Sequence, residues 1–418
     1  MRRRAPVLPA PGRKRRAVAI IAGAAVLLIG GVAAFASYKY NDLSNGIRRS
    51  AISLPGVPDN TVDSNILVMG LDSRLDENGN PLPADVYDAL NAGNQSDGGY
   101  NTNVLMLIHI PANNGKAVGI SIPRDDYVAL AGNPDGVSMS KIKEAYGLAL
   151  DQKLRELTST GRISHQDAYQ QARTAARQTE IATVSNFLGG VTINHFIEVT
   201  MAAFYQVAQA VQPITVCLNE ATADTYSGAN FPAGVQQLSA AQAVSFVRQR
   251  RDTANPGLDF TDLDREVRQQ AFIISLAFKI RQTDTFTNLG TLQSLIATAK
   301  QNIAMDSKLN LLSFAGQASR LAGGKLTFTT LPITAFGVRQ GKDVNIVDLN
   351  QIHTLTAQLL SSTPTQPATT ATSSPSPTSA SRSTTSTKTR TSPSPAPAPN
   401  LYANPPVPLA SGSIPCVK

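Results

Sequence analysis

A single apolar segment near the amino end determines where the rest of the chain can lie. Residues 17–36 (AVAIIAGAAVLLIGGVAAFA) are 20 consecutive uncharged and mostly apolar residues, and a helix of that length spans the roughly 30 Å hydrocarbon core of a bilayer. Residues 1–16 carry seven basic side chains and no acidic one. We therefore predict a cytoplasmic basic tail, a transmembrane helix over 17–36 and an exported remainder. The alternative is a cleaved signal peptide, but its apolar region is usually about 7–15 residues and ends at a small-residue cleavage site.

The composition changes twice in the remaining chain. Residues 37–60 are predicted to be a juxtamembrane linker, and residues 61–361 have the composition of one globular domain with a sizeable core. Residues 362–400 are rich in Ser, Thr and Pro and almost lack large apolar side chains. They cannot bury enough surface to offset their ordering entropy, so we predict a disordered stalk. Residues 401–418 regain apolar side chains and form a C-terminal tail.

The formal net charge of +8 resides at the two ends of the chain. Residues 17–361 hold 26 basic and 29 acidic side chains, which excludes a basic nucleic-acid-binding protein. Two cysteines are too few for a disulfide scaffold or a Cys-rich zinc module. The four histidines are isolated, and the P-loop, G-x-S-x-G and H-E-x-x-H motifs are absent from the sequence. These features disfavour zinc and Ser-His-Asp chemistry.

Apolar strands alternate with helical segments through residues 61–361. Strands are predicted over 65–71, 104–110, 117–122, 193–199, 213–218 and 326–331. Helices are predicted over 166–187, 201–211, 239–249 and 262–281. We predict an α/β fold, specifically an α/β/α sandwich around a central mixed β-sheet.

Charged side chains directly follow two of the predicted strands. Asp72 and Arg74 come after the first strand, and Arg124 comes after the third. Ligands of open α/β sheets usually bind in the crevice beyond the carboxyl ends of strands. These three residues are therefore candidate site residues, although Arg124 could also be a solvated loop cation.

The last two predicted helices carry a second charged group. Asp262, Arg265 and Gln269 fall on one helix face, and Arg248 and Arg250 could leave the preceding helix beside them. Several guanidiniums in one crevice suit a diphosphate, because each binds two oxygens and stays charged when partly buried. Carboxylates among them could hold Mg²⁺ or accept a proton from an alcohol. The alternative is a solvated network in which these charges only pair with one another.

Six segments follow one another along the chain: ILVMGLDSR, VLMLIHIP, SIPRD (121–125), KIKEAY (141–146), GVQQLSAAQAVSFVRQRRD and the D-x-x-R-x-x-R-Q-Q stretch (262–270). In this order they resemble the LytR–CpsA–Psr family of membrane-anchored cell-wall enzymes, and most closely its actinobacterial branch. The resemblance implies an α/β/α sandwich that transfers a glycopolymer, arabinogalactan in this branch, from a polyprenyl diphosphate to muramic acid hydroxyls of peptidoglycan. It also implies Mg²⁺, a pyrophosphatase side activity and a single-pass membrane anchor with the catalytic domain outside the cytoplasm.

The same resemblance implies roles for individual residues. The implied catalytic residues are Arg124, Arg248, Arg250 and Asp262, with Asp262 as the candidate that assists deprotonation of the acceptor. The implied diphosphate-binding residues are Arg74, Arg124, Lys141, Arg248, Arg250 and Gln269. The implied metal ligands are Asp72 and the residue at position 103, which is Asn103.

Asn103 departs from the family pattern. Relatives typically carry an Asp there that binds Mg²⁺, whereas this chain reads YNTNV over residues 100–104. An amide oxygen can coordinate a cation, but it lacks the negative charge that supplies most of the attraction for Mg²⁺. Three interpretations remain open: weaker metal affinity with intact transfer, a metal-independent enzyme, or a catalytically inactive paralogue that binds lipid-linked glycan or wall enzymes.

The two cysteines are far apart in the sequence. Cys217 ends a predicted strand, and Cys416 is the third residue from the last. An exported compartment permits a disulfide between them, which would attach the C-terminal tail to the domain. The alternative is two unrelated thiols, with Cys217 acting as a small buried apolar side chain.

Overall fold

The computed structural model describes most of the chain after residue 45. The described residues are 46–50, 52–55, 63–91, 93, 99–112, 115–159, 161–258, 260–282, 289–310, 325–361 and 408–418. The predicted transmembrane helix (17–36), the predicted stalk (362–400) and most of the predicted linker (37–60) lie outside them. Within the described ranges, no helix is both long enough and apolar enough to cross a membrane.

The secondary-structure elements are numbered here in chain order. The strands are β1 (Arg48–Ser50), β2 (Ser64–Leu71), β3 (Thr102–Ile110), β4 (Ala117–Ser121), β5 (Tyr127–Ala129), β6 (Met139–Lys141), β7 (His195–Val199), β8 (Ile214–Leu218), β9 (Thr222–Asp224), β10 (Ala229–Phe231), β11 (Gly234–Leu238), β12 (Ile303–Asp306), β13 (Leu326–Thr330), β14 (Ala335–Arg339), β15 (Lys342–Ile346), β16 (Leu409–Ala410) and β17 (Cys416–Val417). The helices are α1 (Ala84–Leu90), α2 (Glu144–Thr158), α3 (His165–Phe187), α4 (Met201–Val211), α5 (Ala240–Arg248), α6 (Asp262–Gln282), α7 (Leu289–Asn302) and α8 (Leu349–Leu360).

A mixed sheet of eight strands forms the centre of the described domain, in the order β1-β12-β7-β2-β3-β4-β13-β16. β3 runs antiparallel to both β2 and β4, whereas the β2–β7 and β4–β13 pairs are parallel. Five of the six predicted strands lie in this sheet, and the sixth, β8, lies in a smaller one. The predicted mixed sheet is therefore confirmed.

Alternate residues of the central strands face opposite layers of helices. Leu67 of β2 and Leu107 of β3 are fully buried in a cluster that includes Ile181 of α3. Met106, the neighbour of Leu107 in β3, packs instead with Ile274 of α6. Helices therefore cover both faces of the sheet, as the predicted α/β/α sandwich requires.

A second core joins α4, α5 and α6 to a small sheet of order β11-β8-β17. Phe246 of α5 is fully buried there, and Val417 of β17 belongs to the same cluster. Cys416, next to Val417, forms a disulfide with Cys217 of β8. The tail 408–418 thus adds a strand to each sheet, β16 beside β13 and β17 beside β8.

The predicted helices begin close to their predicted residues because their caps are local. Ser239 forms a capping box with Gln242 at the start of α5, and Thr200 caps α4 by accepting from the backbone amide of Ala203. The structure also contains α1, α2, α7 and α8, which are not among the helices predicted from the sequence. The apolar stripe of α2, for example, is short, and α2 packs along α3.

Four buried charged side chains attach the segment after β2 to the helical layer. Arg173 and Arg177, one turn apart on α3, both contact the carboxylates of Glu77 and Glu198. Arg173 Nη2 lies 2.7 Å from Glu77 Oε2, and Arg177 Nε lies 2.9 Å from Glu198 Oε2. All four are at most 1% exposed, so removing any one would leave an uncompensated buried charge. The network thereby fixes the segment that begins at Asp72.

Candidate active site

Antiparallel pairing brings three chain segments to one edge of the main sheet. Because β2 and β4 both run antiparallel to β3, each of them ends where β3 begins. Asp72 directly follows β2, Asn103 is the second residue of β3, and Arg124 follows soon after β4. Asp262, the first residue of α6, bonds to Arg124 at the same edge. Four residues predicted from separate motifs therefore meet.

Two guanidiniums share the carboxylate of Asp262. Arg124 donates from Nε to Asp262 Oδ2 at 2.9 Å and from Nη2 to Oδ1 at 2.8 Å. Arg265, one turn along α6, donates from Nε to Oδ1 and from Nη2 to Oδ2, both at 3.0 Å. Such two-point contacts fix the plane of each guanidinium. Asp262 therefore orients two cations side by side.

This pairing sets the protonation of Asp262. Burial by itself raises the pKa of a carboxyl, but here the charges of Arg265 and Arg124 outweigh burial and hold the pKa of Asp262 well below its usual range. A carboxylate with so low a pKa is a weak proton acceptor at neutral pH. The structure thus supports an anchoring role for Asp262 rather than the deprotonating role that the resemblance implies.

Asp72 lies in the opposite kind of environment. Burial raises the pKa of Asp72, although the backbone amide of Asn101 and the charge of Arg124 oppose the shift. Oδ1 of Asp72 accepts from the Asn101 amide at 3.0 Å, and Oδ2 accepts from Asn103 Nδ2 at 2.9 Å. Asp72 is therefore held in a fixed orientation and is better suited than Asp262 to accept a proton.

The side chain of Asn103 lies between Asp72 and Arg124 and forms a hydrogen bond with each of them. Its Nδ2 donates to Asp72 Oδ2, and its Oδ1 accepts from Arg124 Nη1 at 2.7 Å. A carboxylate can only accept and a guanidinium can only donate. The partners therefore fix which way the amide points.

Two lysines converge on Asp125, the residue after Arg124. Asp125 Oδ1 lies 2.7 Å from Lys143 Nζ and 3.2 Å from Lys141 Nζ. Lys141 is an expected site residue, whereas Lys143 is not among the residues predicted from the sequence. The signal that could have found it is the K-I-K spacing, which places the two ammonium groups on the same side of an extended segment.

Arg248 and Arg250, the predicted arginine pair, lie in different environments. Arg248 donates from Nη1 to backbone carbonyls at the end of α1, one of them that of Asn91 at 3.1 Å. Burial lowers the pKa of Arg248, and the nearby charge of Arg74 lowers it further. Arg250 is exposed; burial of part of its side chain and the charge of Arg124 lower its pKa. Arg250 is therefore the member of the pair that lies beside Arg124, while Arg248 is bound to α1.

Gln269 and its neighbour Arg268 fix the segment that carries this pair. Gln269 is buried and donates from Nε2 to the carbonyl of Val247 at 3.3 Å. Arg268 is fully buried and donates from Nη1 to Gln249 Oε1 at 2.6 Å. Gln249 is the residue between the two arginines, so α6 positions the pair through both contacts.

Two further carboxyls are buried beneath the site and escaped the sequence analysis. Burial raises the pKa of Glu266 to about 8, and the charge of Asp262 raises it too. Burial also raises the pKa of Asp126 well above its usual value, and its Oδ1 accepts from Asn345 Nδ2 at 3.0 Å. With a pKa of about 8, Glu266 is mainly neutral at pH 7 and adds little negative charge. Counting charges along a sequence treats every carboxyl as ionised, which is why the sequence does not reveal them.

The donors at this edge are a poor match for the Mg²⁺ that the resemblance implies. Of the expected ligands, Asp72 alone is a carboxylate, and both polar atoms of the Asn103 side chain already have partners. In the part of the chain that the structure describes, no three His, Cys, Asp or Glu side chains are grouped so as to hold a metal ion. The residues present therefore do not fit the cofactor.

Comparisons with known proteins point to one family. Its model, LytR_cpsA_psr, matches residues 33–361. The chain is 34% identical over 357 residues to the cell wall biosynthesis protein LcpA of Corynebacterium glutamicum, a match that covers 84% of this chain and 66% of LcpA. It is 27% identical over 237 residues to TagU of Oceanobacillus iheyensis, a polyisoprenyl-teichoic acid–peptidoglycan teichoic acid transferase, covering 56% of this chain and 62% of TagU. The matches thus span just under two thirds of these relatives' own length.

The fold also resembles that of a solved structure. Protein gbs0355 from Streptococcus agalactiae superposes with a TM-score of 0.50 at 16% identity, covering 72% of this chain and 87% of that protein. At this level of identity, the likeness concerns the fold alone.

Proposed function

This chain belongs to the LytR–CpsA–Psr family, and we propose that it transfers a cell-wall glycopolymer from a polyprenyl diphosphate carrier to peptidoglycan. The proposed acceptors are muramic acid hydroxyls, and the proposed polymer is arabinogalactan. Two relatives support this class of reaction: LcpA is a cell wall biosynthesis protein, and TagU transfers teichoic acid to peptidoglycan.

The observation that carries the proposal is an excess of positive charge at the sheet edge. Among the described residues, six basic side chains surround three aspartates. The cations are Arg74, Arg124, Lys141, Lys143, Arg250 and Arg265, and the carboxylates are Asp72, Asp125 and Asp262. A diphosphate fits such a site, because its oxygens accept from guanidinium forks and ammonium groups.

The proposed reaction is a displacement at phosphorus. The hydroxyl oxygen of the acceptor attacks the sugar-linked phosphorus, the bond from that phosphorus to the bridging oxygen breaks, and polyprenyl phosphate leaves. Arg124 and Arg265, oriented by Asp262, stabilise the charge that develops on the phosphate oxygens. Asp72 accepts the proton of the attacking hydroxyl. Water in place of the hydroxyl would give the pyrophosphatase side reaction.

We further propose that residues 17–36 anchor the chain in the membrane with the domain outside the cytoplasm. The apolar length of this segment and the basic residues before it support the proposal. A lipid-linked donor is itself held in a membrane, so the anchored domain and its donor would lie at the same membrane surface.

The test measures release of polyprenyl phosphate by the full chain in detergent micelles. The donor is a polyprenyl diphosphate-linked glycan, and the acceptor is a peptidoglycan fragment. We expect Arg124→Ala to lower turnover by about 100-fold or more, because it removes a donor that stabilises charge in the transition state. Arg339→Ala, at an exposed position of the β14–β15 hairpin, is the matched control and should leave turnover unchanged.

Two results would contradict transfer by this site. Turnover in Arg124→Ala close to that of the native chain would show that Arg124 takes no part in the reaction. Donor binding without turnover in the native chain, together with turnover in Asn103→Asp, would instead favour the inactive paralogue.

A further inference from the structure

The side chain of Asn103 occupies the position where the family's second metal carboxylate is expected, and its contacts suggest a different arrangement. We infer that this protein carries out its transfer without a divalent cation, with the guanidinium of Arg124 supplying the positive charge at that position. The reaction itself rests on the proposed function, whereas the lack of a metal site rests on the contacts of Asn103 and on the charges around Asp72.

The orientation of the Asn103 amide argues against metal binding. To share a cation with Asp72, Asn103 would have to turn its oxygen toward Asp72. Its NH₂ group would then face Arg124 Nη1, which now donates to that oxygen at 2.7 Å. Two donors would then oppose each other, and Arg124 Nη1 would lose its acceptor at position 103. The observed orientation instead makes two hydrogen bonds to charged partners.

The charge around Asp72 argues the same way. Arg124, Lys143 and Arg74 all act on its carboxylate and oppose the rise in its pKa. Asp262, the nearest strong anion to Arg124, is already shared between Arg124 and Arg265. A divalent cation would therefore have to bind in a region that already has a net positive charge. An Asp at position 103 would add a negative charge there, and the amide does not.

Arg124 is suited to replace the ion because a guanidinium keeps its charge even when partly buried. Its Nε and Nη2 are held by the carboxylate of Asp262 at 2.9 and 2.8 Å. Its Nη1 already contacts the side chain at position 103. The charge that stabilises the diphosphate is then present whatever the cation concentration.

The experiment measures metal binding apart from catalysis. The full chain in detergent micelles is stripped with EDTA, dialysed and titrated with Mn²⁺, while free Mn²⁺ is followed by electron paramagnetic resonance. We expect no stoichiometric Mn²⁺ binding by the native chain at concentrations up to about 1 mM, the range of weak carboxylate sites. Asn103→Asp should bind one Mn²⁺ that Mg²⁺ displaces. Asn230→Asp adds the same charge at an exposed strand position and is the matched control.

Turnover supplies a second readout. The native chain should release polyprenyl phosphate at the same rate in EDTA and in Mg²⁺. Loss of turnover in EDTA that Mg²⁺ restores would overturn the inference, as would one Mn²⁺ bound by the native chain and lost in Asp72→Ala. If the native chain turns over in neither condition, the proposed function fails, and the Mn²⁺ titration still decides whether a metal site exists. If Asn103→Asp does not fold, the titration of the native chain and of Asp72→Ala decides it.

Discussion

Asp72 and Asp262 carry the same functional group within one site, yet their surroundings shift their pKa values in opposite directions. Two guanidiniums bind both oxygens of Asp262, so the charged form is strongly favoured. Asp72 accepts from a backbone amide and from Asn103, and burial raises its pKa. At the scale of single residues, the number of charged donors on a carboxylate decides whether it can act as an anchor or as a proton acceptor.

Glu266→Gln should reduce the pH dependence of stability. In the folded chain, burial raises the pKa of Glu266 to about 8, whereas in the unfolded chain it is about 4.3. Between these values the folded state keeps the proton that the unfolded state has lost. The stability that this group contributes is therefore full below about pH 4 and is lost as the pH rises to about 8. We expect the Tm of the variant minus the Tm of the native chain to be larger at pH 8 than at pH 5, as measured by thermal denaturation.

Glu220→Gln, at an exposed position, is the matched control for this measurement. A Tm difference between Glu266→Gln and the native chain that is the same at both pH values would contradict the prediction.

At the scale of elements, α6 serves the site and the core at once. Its first two turns carry Asp262 and Arg265, and further along Ile274 packs under the main sheet. Between them, Arg268 donates to three acceptors on other segments: Gln249 Oε1, Thr222 Oγ1 and the carbonyl of residue 418. A single buried guanidinium therefore connects α6 to the arginine pair, to β9 and to the C-terminal tail.

Arg268→Met should weaken both stability and substrate binding. Methionine fills much of the volume but removes the donor of Thr222 Oγ1 and of the carbonyl of residue 418, and leaves Gln249 Oε1 with Thr222 Oγ1 as its donor. We expect this to cost about 2–4 kcal/mol of the free energy of unfolding. The KM for the glycan donor should rise more than kcat falls, because Arg268 no longer holds Gln249, the residue between Arg248 and Arg250. Urea denaturation and the release assay measure the two effects.

Arg155→Met provides the comparison, because Arg155 is exposed and pairs with Asp135 at the surface. Its effect on the free energy of unfolding should stay below about 1 kcal/mol. An equally small effect of Arg268→Met would show that its three contacts do not connect the elements.

At the scale of the whole molecule, the C-terminal tail closes the described domain. Residues 408–418 supply β16 to the main sheet and β17 to the small sheet. The disulfide between Cys217 and Cys416 joins residues 199 positions apart. The last described residue accepts from Arg268 at 2.7 Å. The two sheets are therefore connected by one short segment as well as by α6.

Replacing both cysteines with serine should loosen this closure. Removing a cross-link that closes so long a loop is expected to cost about 2–5 kcal/mol of the free energy of unfolding. Amide exchange should accelerate in β13, which loses β16 as a stable neighbour, and in β8. Dithiothreitol should lower the Tm of the native chain to that of the double variant and leave the variant unchanged. Equal stability of the native chain and the double variant would contradict the prediction.

Five of the eight strands of the central sheet, the helices α3 to α6, and the motifs from which Asp72, Arg124 and Asp262 were chosen could be predicted from the sequence. These follow from hydrophobic periodicity and from caps such as Ser239, which depend on residues a few positions apart. The sequence also permitted the disulfide without requiring it. The predicted transmembrane helix and stalk remain predictions.

Which donor meets which acceptor depends on the three-dimensional fold. The bridge through Asn103, the low pKa of Asp262, the position of Lys143 and the neutral Glu266 all depend on the antiparallel register of β2, β3 and β4 and on the docking of α6. Asn103 and Arg265, for example, make contact although they are 162 positions apart. Hydrogen bonding and desolvation act over a few ångströms in space, so chemistry of this kind cannot be read from spacing along the chain.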